Sequence, residues 1–455
     1  MQHIVIIGNG ISGITAARHI RKQCDSQITV ISSETEHFFS RTALMYIYMG
    51  HMTYAHTKPY EDFFWKKNRI DLVFNHVEKV HFGQRSLELK GGEILGYDKL
   101  ILAVGSTPNM FGWPGQDLKG VQGMYSYQDL ELLEKNTHPP LISEAKKKVK
   151  IAVIVGGGLI GVELAEMLHT RGIHCVFLIR ESKFWGNVLP EEEGSLVSRH
   201  LIKYGIDLRF ETELAEIISD ENGRAKGVKT STGEIIDCQL VGLTAGVRAN
   251  VDWLKGGELE IDRGILVDSY LQTNLEDVYA IGDCVQLRKP LPGRRPIEQV
   301  WYSGRMMGEV VASTLSGKPR KYEPGNWFNS AKFFDIEYQT YGSVNAVPLE
   351  NEKSFYWEDS TGEKCLKLVF DQKSETLIGV NVFGIRLRHE LLDQWLNENR
   401  SVDYVLSHMA DANFDTEFYR RYETEIVKSF NKEFSKNLSL QKASWKRIFA
   451  KAKQA

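Results

Sequence analysis

Three glycines, Gly8, Gly10 and Gly13, close the apolar run "HIVII" and open "ISGITAARHI". Each spacing has a chemical use. Gly8 permits a tight turn out of a strand, Gly10 lets the backbone approach a pyrophosphate, and Gly13 lets the next helix pack closely on the strand. The helix N-terminus then offers N–H groups to the phosphates. About twenty residues on, "QITVISSE" reads as a second strand ending at Glu34, a carboxylate placed to accept hydrogen bonds from an adenosine ribose. The pattern recurs in "KIAVIVGGGLIGVELAEMLHTRGIHCVFLIRESKF", with Gly156, Gly158 and Gly161 behind the strand Ile151–Val155 and a further strand at Cys175–Ile179. Two such units imply two dinucleotides, or one dinucleotide and a vestigial site. One nicotinamide and one flavin is the economical reading, because hydride transfer needs a donor and an acceptor.

A thiol is the next group to seek in redox chemistry. The five cysteines (Cys24, Cys175, Cys238, Cys284, Cys365) are odd in number, scattered, and form no CxxC pair. They read as small buried residues of a reducing compartment and give no disulfide framework or metal set. Just downstream of the first glycine loop, "HFFSRTALMYIYMG" carries Arg41 and no cysteine. No ligand set for an iron–sulfur cluster is present either.

The elements that must position these residues fit the length. A chain of 455 residues has room for about three domains of ~150 residues. Its 42% hydrophobic and 25% charged content excludes a disordered chain and matches a soluble globular one. No apolar run reaches the length of a spanning helix, and the first residues read as a strand rather than a secretory signal. The expectation is a cytoplasmic protein. Charge is uneven: from Lys428 to Ala455 eight Lys/Arg face one acid, a net +7 that leaves −10 on the remainder of a chain of net −3.

Further segments now align in order: "YDKLILAVGSTPN" (97–109), "LTAGVRAN" (243–250), "LEDVYAIGDCVQ" (275–286) and "IEQVWYSGRMMGEVVA" (297–312). With the two glycine loops they resemble the FAD-dependent pyridine nucleotide-disulfide oxidoreductase superfamily over roughly residues 1–325. "FFSRTALMYIYMG" is most similar to the YSRxxL stretch of the ferredoxin, rubredoxin and nitrite reductase branch. The resemblance implies an α/β fold of two Rossmann-like domains plus a C-terminal α+β domain. FAD would take 1–118 and 249–325, NAD(P)H 119–248, and an interface domain 326–430, with a basic tail at 431–455. That interface domain would meet a second subunit, as in a homodimer, or a partner.

By the same resemblance Gly8, Gly10, Ser12 and Gly13 hold the FAD pyrophosphate and Glu34 its ribose. Arg41 approaches the flavin or its phosphates. Ala103, Val104 and Gly105 form the small-residue turn beside it; the family usually has Thr where Val104 stands. Gly282 and Asp283 meet the ribityl chain, and Val77 and Gly246 complete the surface. Gly156, Gly158, Leu159, Ile160 and Gly161 bind the nicotinamide dinucleotide. Glu163 lies near the nicotinamide and Trp301 by the flavin ring, the two residues expected to act in catalysis. Glu163 as a helix-start carboxylate and Trp301 as a core residue are the plain alternatives.

Arg180 ends the strand "CVFLIRES", where arginine favours a ribose 2′-phosphate and an acid the free 2′-OH. Glu181 beside it would repel a phosphate. The balance leans to NADPH and keeps NADH open.

With neither a cysteine pair nor a single thiol in place, electrons must leave the flavin directly. The expected acceptor is an iron–sulfur or rubredoxin-like protein, or a subunit of a larger complex. Two alternatives stay open. One is a quinone reductase at a membrane surface. The other is a nicotinamide-responsive binding flavoprotein, since "FWGNVLPEE" (184–192) is similar to the apoptosis-inducing-factor type. No nucleic-acid partner is expected. In the tail, Trp445, Ile448, Phe449 and Ala452 share one helical face. Such a face suits a partner protein or an anionic surface, including peripheral attachment at an inner membrane; a solvated terminus is the plain reading.

Overall fold

The structure, a computed structural model, describes residues 2–138, 149–291, 293–415 and 419–441. The chain forms two compact units, Met1–Leu178 with Thr212–Pro324, and Ile179–Glu211 with Gly325–Ala455. Residues 442–455, which include the expected amphipathic face at Trp445–Ala452, lie outside the described residues.

Along the first unit run β1 (His3–Ile7), α1 (Ile11–Gln23), β2 (Gln27–Ser32), α2 (Leu44–Tyr48), β3 (Ile70–Phe74), β4 (Lys99–Leu102), α3 (Tyr127–Thr137), β5 (Ile151–Val155), α4 (Leu159–Thr170), β6 (His174–Leu178), β7 (Leu240–Leu243), β8 (Val278–Ala280) and α5 (Trp301–Leu315). One sheet has the order β8-β4-β1-β2-β3, all parallel. A parallel sheet is covered on both faces, so its strands read as unbroken apolar runs. β1 accordingly buries Ile4, Val5 and Ile6 completely. A second parallel set runs β6-β5-β7, extended by Val121–Gln122. Register follows burial: Ile6 lies opposite Val30 and Ile101, Ile154 opposite Phe177. Each parallel β–α–β crossover leaves a helix start at the carboxyl edge of the sheet, where ligands of such folds bind.

The second unit is built on an antiparallel sheet of β9 (Phe328–Phe333), β10 (Ile336–Gly342), β11 (Glu352–Glu358), β12 (Cys365–Asp371) and β13 (Leu377–Phe383), ordered β9-β10-β13-β12-β11. The strands read in "KCLKLVFD" and "LIGVNVFG" and the helix read in "RHELLDQWLNEN" (His389–Asn397) are all formed. Phe355, Leu368, Val380 and Trp395 share its core. Burying one such side chain fully contributes about 1.5–3 kcal/mol. No helix among the described residues is long and apolar enough to cross a membrane.

Candidate functional site

A cleft of about 510 Å³ opens at the carboxyl ends of β1, β2, β4 and β8. Gly8, Gly10, Ser12, Glu34, Arg41, Val77, Ala103, Val104, Gly105, Gly282 and Asp283 line it. Gly8 has φ +113°, and a Cβ there would lie 2.1 Å from the Ala103 carbonyl oxygen. Gly13 sits behind the loop, where a Cβ would lie 2.0 Å from the Gly8 oxygen. Gly10 is the contrast: nothing stands within 4 Å of the Cβ it lacks. It is also the N-cap of α1, and no side chain caps it. Open space over an uncapped helix start has the shape and polarity a pyrophosphate requires, so these residues fit a dinucleotide such as FAD.

Glu34 and Arg41 meet across this cleft. The Arg41 guanidinium donates to both Glu34 oxygens, at 2.8 and 2.6 Å, and to the Tyr125 carbonyl at 2.7 Å. It lies over the Tyr125 ring at 4.5 Å. The Tyr127 N–H donates to Glu34 at 3.0 Å. Burial works against the Arg41 charge, but the bonds to Glu34 outweigh it and hold the guanidinium above its usual range.

Asp283 follows the turn that ends β8. Its carboxylate accepts from Ser106 Oγ at 3.1 Å, and Ser106 Oγ accepts in turn from Gln299 Nε2 at 2.8 Å. Burial pushes the Asp283 carboxyl up, with the Ser106 bond and Arg41 acting against it. The Tyr125 hydroxyl accepts the Ser106 N–H at 3.2 Å.

A second cleft of about 320 Å³ shares Asn9, Gly10, Ile11, Arg41, Tyr125 and Asp283 with the first. Leu159, Ile160 and Glu163 enter it from α4, and Trp301 from the start of α5. Phe39, Leu44, Met45, Met124 and Met167 make it largely apolar, the lining expected around flat aromatic rings. Trp301 is 38% exposed and meets Tyr302 edge-on at 5.4 Å, so it is a lip of the cleft and not a core residue.

Gly156, Gly158, Gly161 and Gly246 do not line either cleft. Gly158 caps α4 as Gly10 caps α1, with no side-chain cap and nothing within 4 Å of a Cβ. Arg180, in the second unit, is 71% exposed and touches Glu181 at 3.2 Å. Sequence reasoning missed Tyr125, Ser106 and Gln299. Ser106 alone had a signal, because it follows the small-residue turn Ala103–Gly105.

The cysteines are elsewhere. Cys24 is half-buried and Cys175, Cys238, Cys284 and Cys365 are buried, all unpaired. Burial pushes the Cys175, Cys238 and Cys284 thiols up to about 12. None lines either cleft. Among the described residues no cluster could hold a metal ion.

The family model described as pyridine nucleotide-disulphide oxidoreductase matches residues 2–308. The chain belongs to that family. Its relatives include the nitrite reductase [NAD(P)H] of Bacillus subtilis, 28% identical over 388 residues, which cover 84% of this chain and 46% of that protein. The chain thus spans about half the length of that relative. The rubredoxin-NAD(+) reductase of Acinetobacter baylyi is 28% identical over 326 residues, 70% of this chain and 79% of the relative. Among solved structures, a ferredoxin reductase from Rhodopseudomonas palustris superposes with a TM-score of 0.76 at 21% identity, covering 94% of this chain and all of that one. As a member of this oxidoreductase family the protein is an FAD-dependent NAD(P)H oxidoreductase, here without a thiol at the clefts.

Proposed function

We propose that the first cleft holds FAD, that the second seats the nicotinamide against the flavin ring, and that electrons pass on to a protein acceptor of the iron–sulfur or rubredoxin kind or to a further subunit. Residues 1–118 and 249–325 would hold FAD, 119–248 the nicotinamide coenzyme, and the domain from 326 a subunit or partner. Bound FAD supplies the chemistry of taking a hydride as an electron pair and releasing electrons singly. The protein positions and shields. Gly8, Gly10, Ser12 and the start of α1 receive the pyrophosphate. Asp283, held by Ser106, is placed for a ribityl hydroxyl. Glu163 and the apolar wall of Phe39, Met45 and Met167 orient the nicotinamide and exclude water. Trp301 marks the open edge by which an acceptor approaches.

The observation that carries this reading is the absence of any cysteine from the lining of the two clefts. A disulfide or peroxide reductase of this fold needs a thiol there. The names of the relatives, which include rubredoxin and rhodocoxin reductases, speak for a protein acceptor over a quinone or a purely binding role. The basic tail is assigned to docking on an acidic partner, and Ser439–Ala455 truncation should weaken that association without loss of FAD.

The test is a variant with all five cysteines replaced. Its NAD(P)H:ferricyanide activity should stay within a few-fold of the parent. A fall of ~100-fold, about 2.7 kcal/mol of barrier, with FAD retained would overturn the reading.

A further inference from the structure

Three of the elements that wall the second cleft are tied together at their far ends by Arg171. α2 gives the cleft Leu44 and Met45 and ends at Tyr48. The segment leading into α3 gives it Met124 and Tyr125, and α3 ends at Thr137. α4 gives it Leu159, Ile160, Glu163 and Met167, and Arg171 is its C-cap. Arg171 lies 3.6 Å over the Tyr48 ring. Its Nη2 donates to the Tyr48 carbonyl at 3.1 Å and to Glu134 at 2.7 Å, and its Nη1 donates to Thr137 Oγ1 at 3.0 Å. Thr137 spends its own proton on the Leu133 carbonyl at 2.7 Å, so the Tyr48 hydroxyl is the donor in its 2.7 Å bond to Thr137. Burial pushes the Tyr48 phenol up to about 12, which keeps that donor proton in place at neutral pH. The guanidinium is 21% exposed and Glu134 34%, so the clamp is largely screened from water.

We propose that Arg171 is a positioning residue for hydride transfer: by fixing α4 against α2 and α3 it sets the width of the cleft that receives the nicotinamide. The inference rests on that cleft taking the nicotinamide. α4 is held at its start by the loop Gly156–Gly161 and at its finish by Arg171. Val162, Leu164, Ala165 and Leu168 bury its inner face, so loss of the second hold frees only a small tilt of its far end. Met167 lies eight residues, ~12 Å, from Leu159, so a tilt of ~5° moves it by ~1 Å. Misplacement of that size costs up to ~100-fold in a reaction that needs contact geometry. A purely structural arginine would instead change melting temperature and leave hydride transfer intact.

The experiment uses the FAD-loaded full chain as parent, Arg171→Met and Arg171→Lys. Flavin bleaching is followed by rapid mixing with NADH and with NADPH, NAD+ and NADP+ binding by calorimetry, and amide exchange across Leu159–Thr170. Arg171→Met should keep FAD, bind the oxidised coenzymes within about 3-fold of the parent, exchange faster in α4, and lose ~10–100-fold in the limiting bleaching rate. Arg171→Lys, which keeps the charge but not the fork, should recover part of that loss. A limiting rate unchanged while α4 loosens, or a loss confined to coenzyme affinity, overturns the proposal. Should Arg171→Met fail to fold, Tyr48→Phe removes one bond of the same clamp; it should slow bleaching by ~3-fold, and no slowing overturns the proposal. Met167→Trp separates the two readings. It fills the cleft, so flavin reduction unaffected by it would remove the nicotinamide site itself, whatever Arg171 does.

Discussion

Arg41 lays two guanidinium nitrogens on the carboxylate of Glu34, at 2.8 and 2.6 Å, and both side chains line the first cleft. The pair ties the end of β2 to the Tyr125–Tyr127 segment that opens α3. One cation and one anion are thus held together where a doubly charged pyrophosphate and a neutral ribose are expected. Arg41→Met leaves Glu34 without its counter-charge beside the incoming phosphates. FAD binding should therefore weaken by ~10–100-fold, the worth of one charge-assisted contact. Titration of the apoprotein with FAD, read by flavin fluorescence, checks it. An unchanged Kd would make the pair a structural brace alone.

Arg180 is the residue proposed to set coenzyme choice. Its guanidinium is 71% exposed and pairs with Glu181 at 3.2 Å, a surface pair that a 2′-phosphate would have to displace. Arg180→Glu should shift kcat/KM toward NADH by ~10–100-fold. An NADPH/NADH ratio that does not move would show that the side chain never meets the 2′ position.

Glu193 makes the stability of the second unit depend on pH. It is fully buried on the helix Glu191–Lys203; one oxygen accepts from Asn381 at 2.8 Å and the other has no hydrogen-bond partner. Burial pushes its carboxyl from 4.5 up to about 7, against the pull of Asn381 and Lys367. Between those two values the native state holds a proton that the unfolded chain has released. Stability therefore falls as pH rises through this window and levels off above it, a loss on the order of 3 kcal/mol. Glu193→Gln removes the loss and should unfold at higher denaturant than the parent at pH 8, with a flatter profile from pH 5 to 8. Parallel profiles for the two proteins would contradict this.

Much of the site was legible because backbone shape dictates residue type. Gly8 sits at φ +113° against a carbonyl, a place no other residue fills without strain, so the loop announces itself in the sequence. The strand Ile151–Val155 was readable end to end because a doubly covered strand is apolar throughout. The partners inside the clefts were not. Arg41 meets the Tyr125 carbonyl across 84 positions, Gln299 meets Ser106 across 193, and Arg171 meets the Tyr48 carbonyl across 123. Nothing local in "GMYSYQ" or "HTRG" marks these contacts, because the crossovers of the fold create them. Likewise Arg41 showed that a thiol was missing, while its bond to Glu34 depended on how the β2 loop folds back.

On the proposed function, electrons reach this protein's acceptor from FAD with no thiol between. Counting electrons tests it directly. Under argon, the FAD-loaded enzyme is titrated with dithionite while the flavin absorbance is followed. A chain with flavin as its sole redox group should bleach fully at two electrons per FAD. A requirement for four electrons, with two taken up before the flavin bleaches, would reveal a dithiol–disulfide couple and contradict the account.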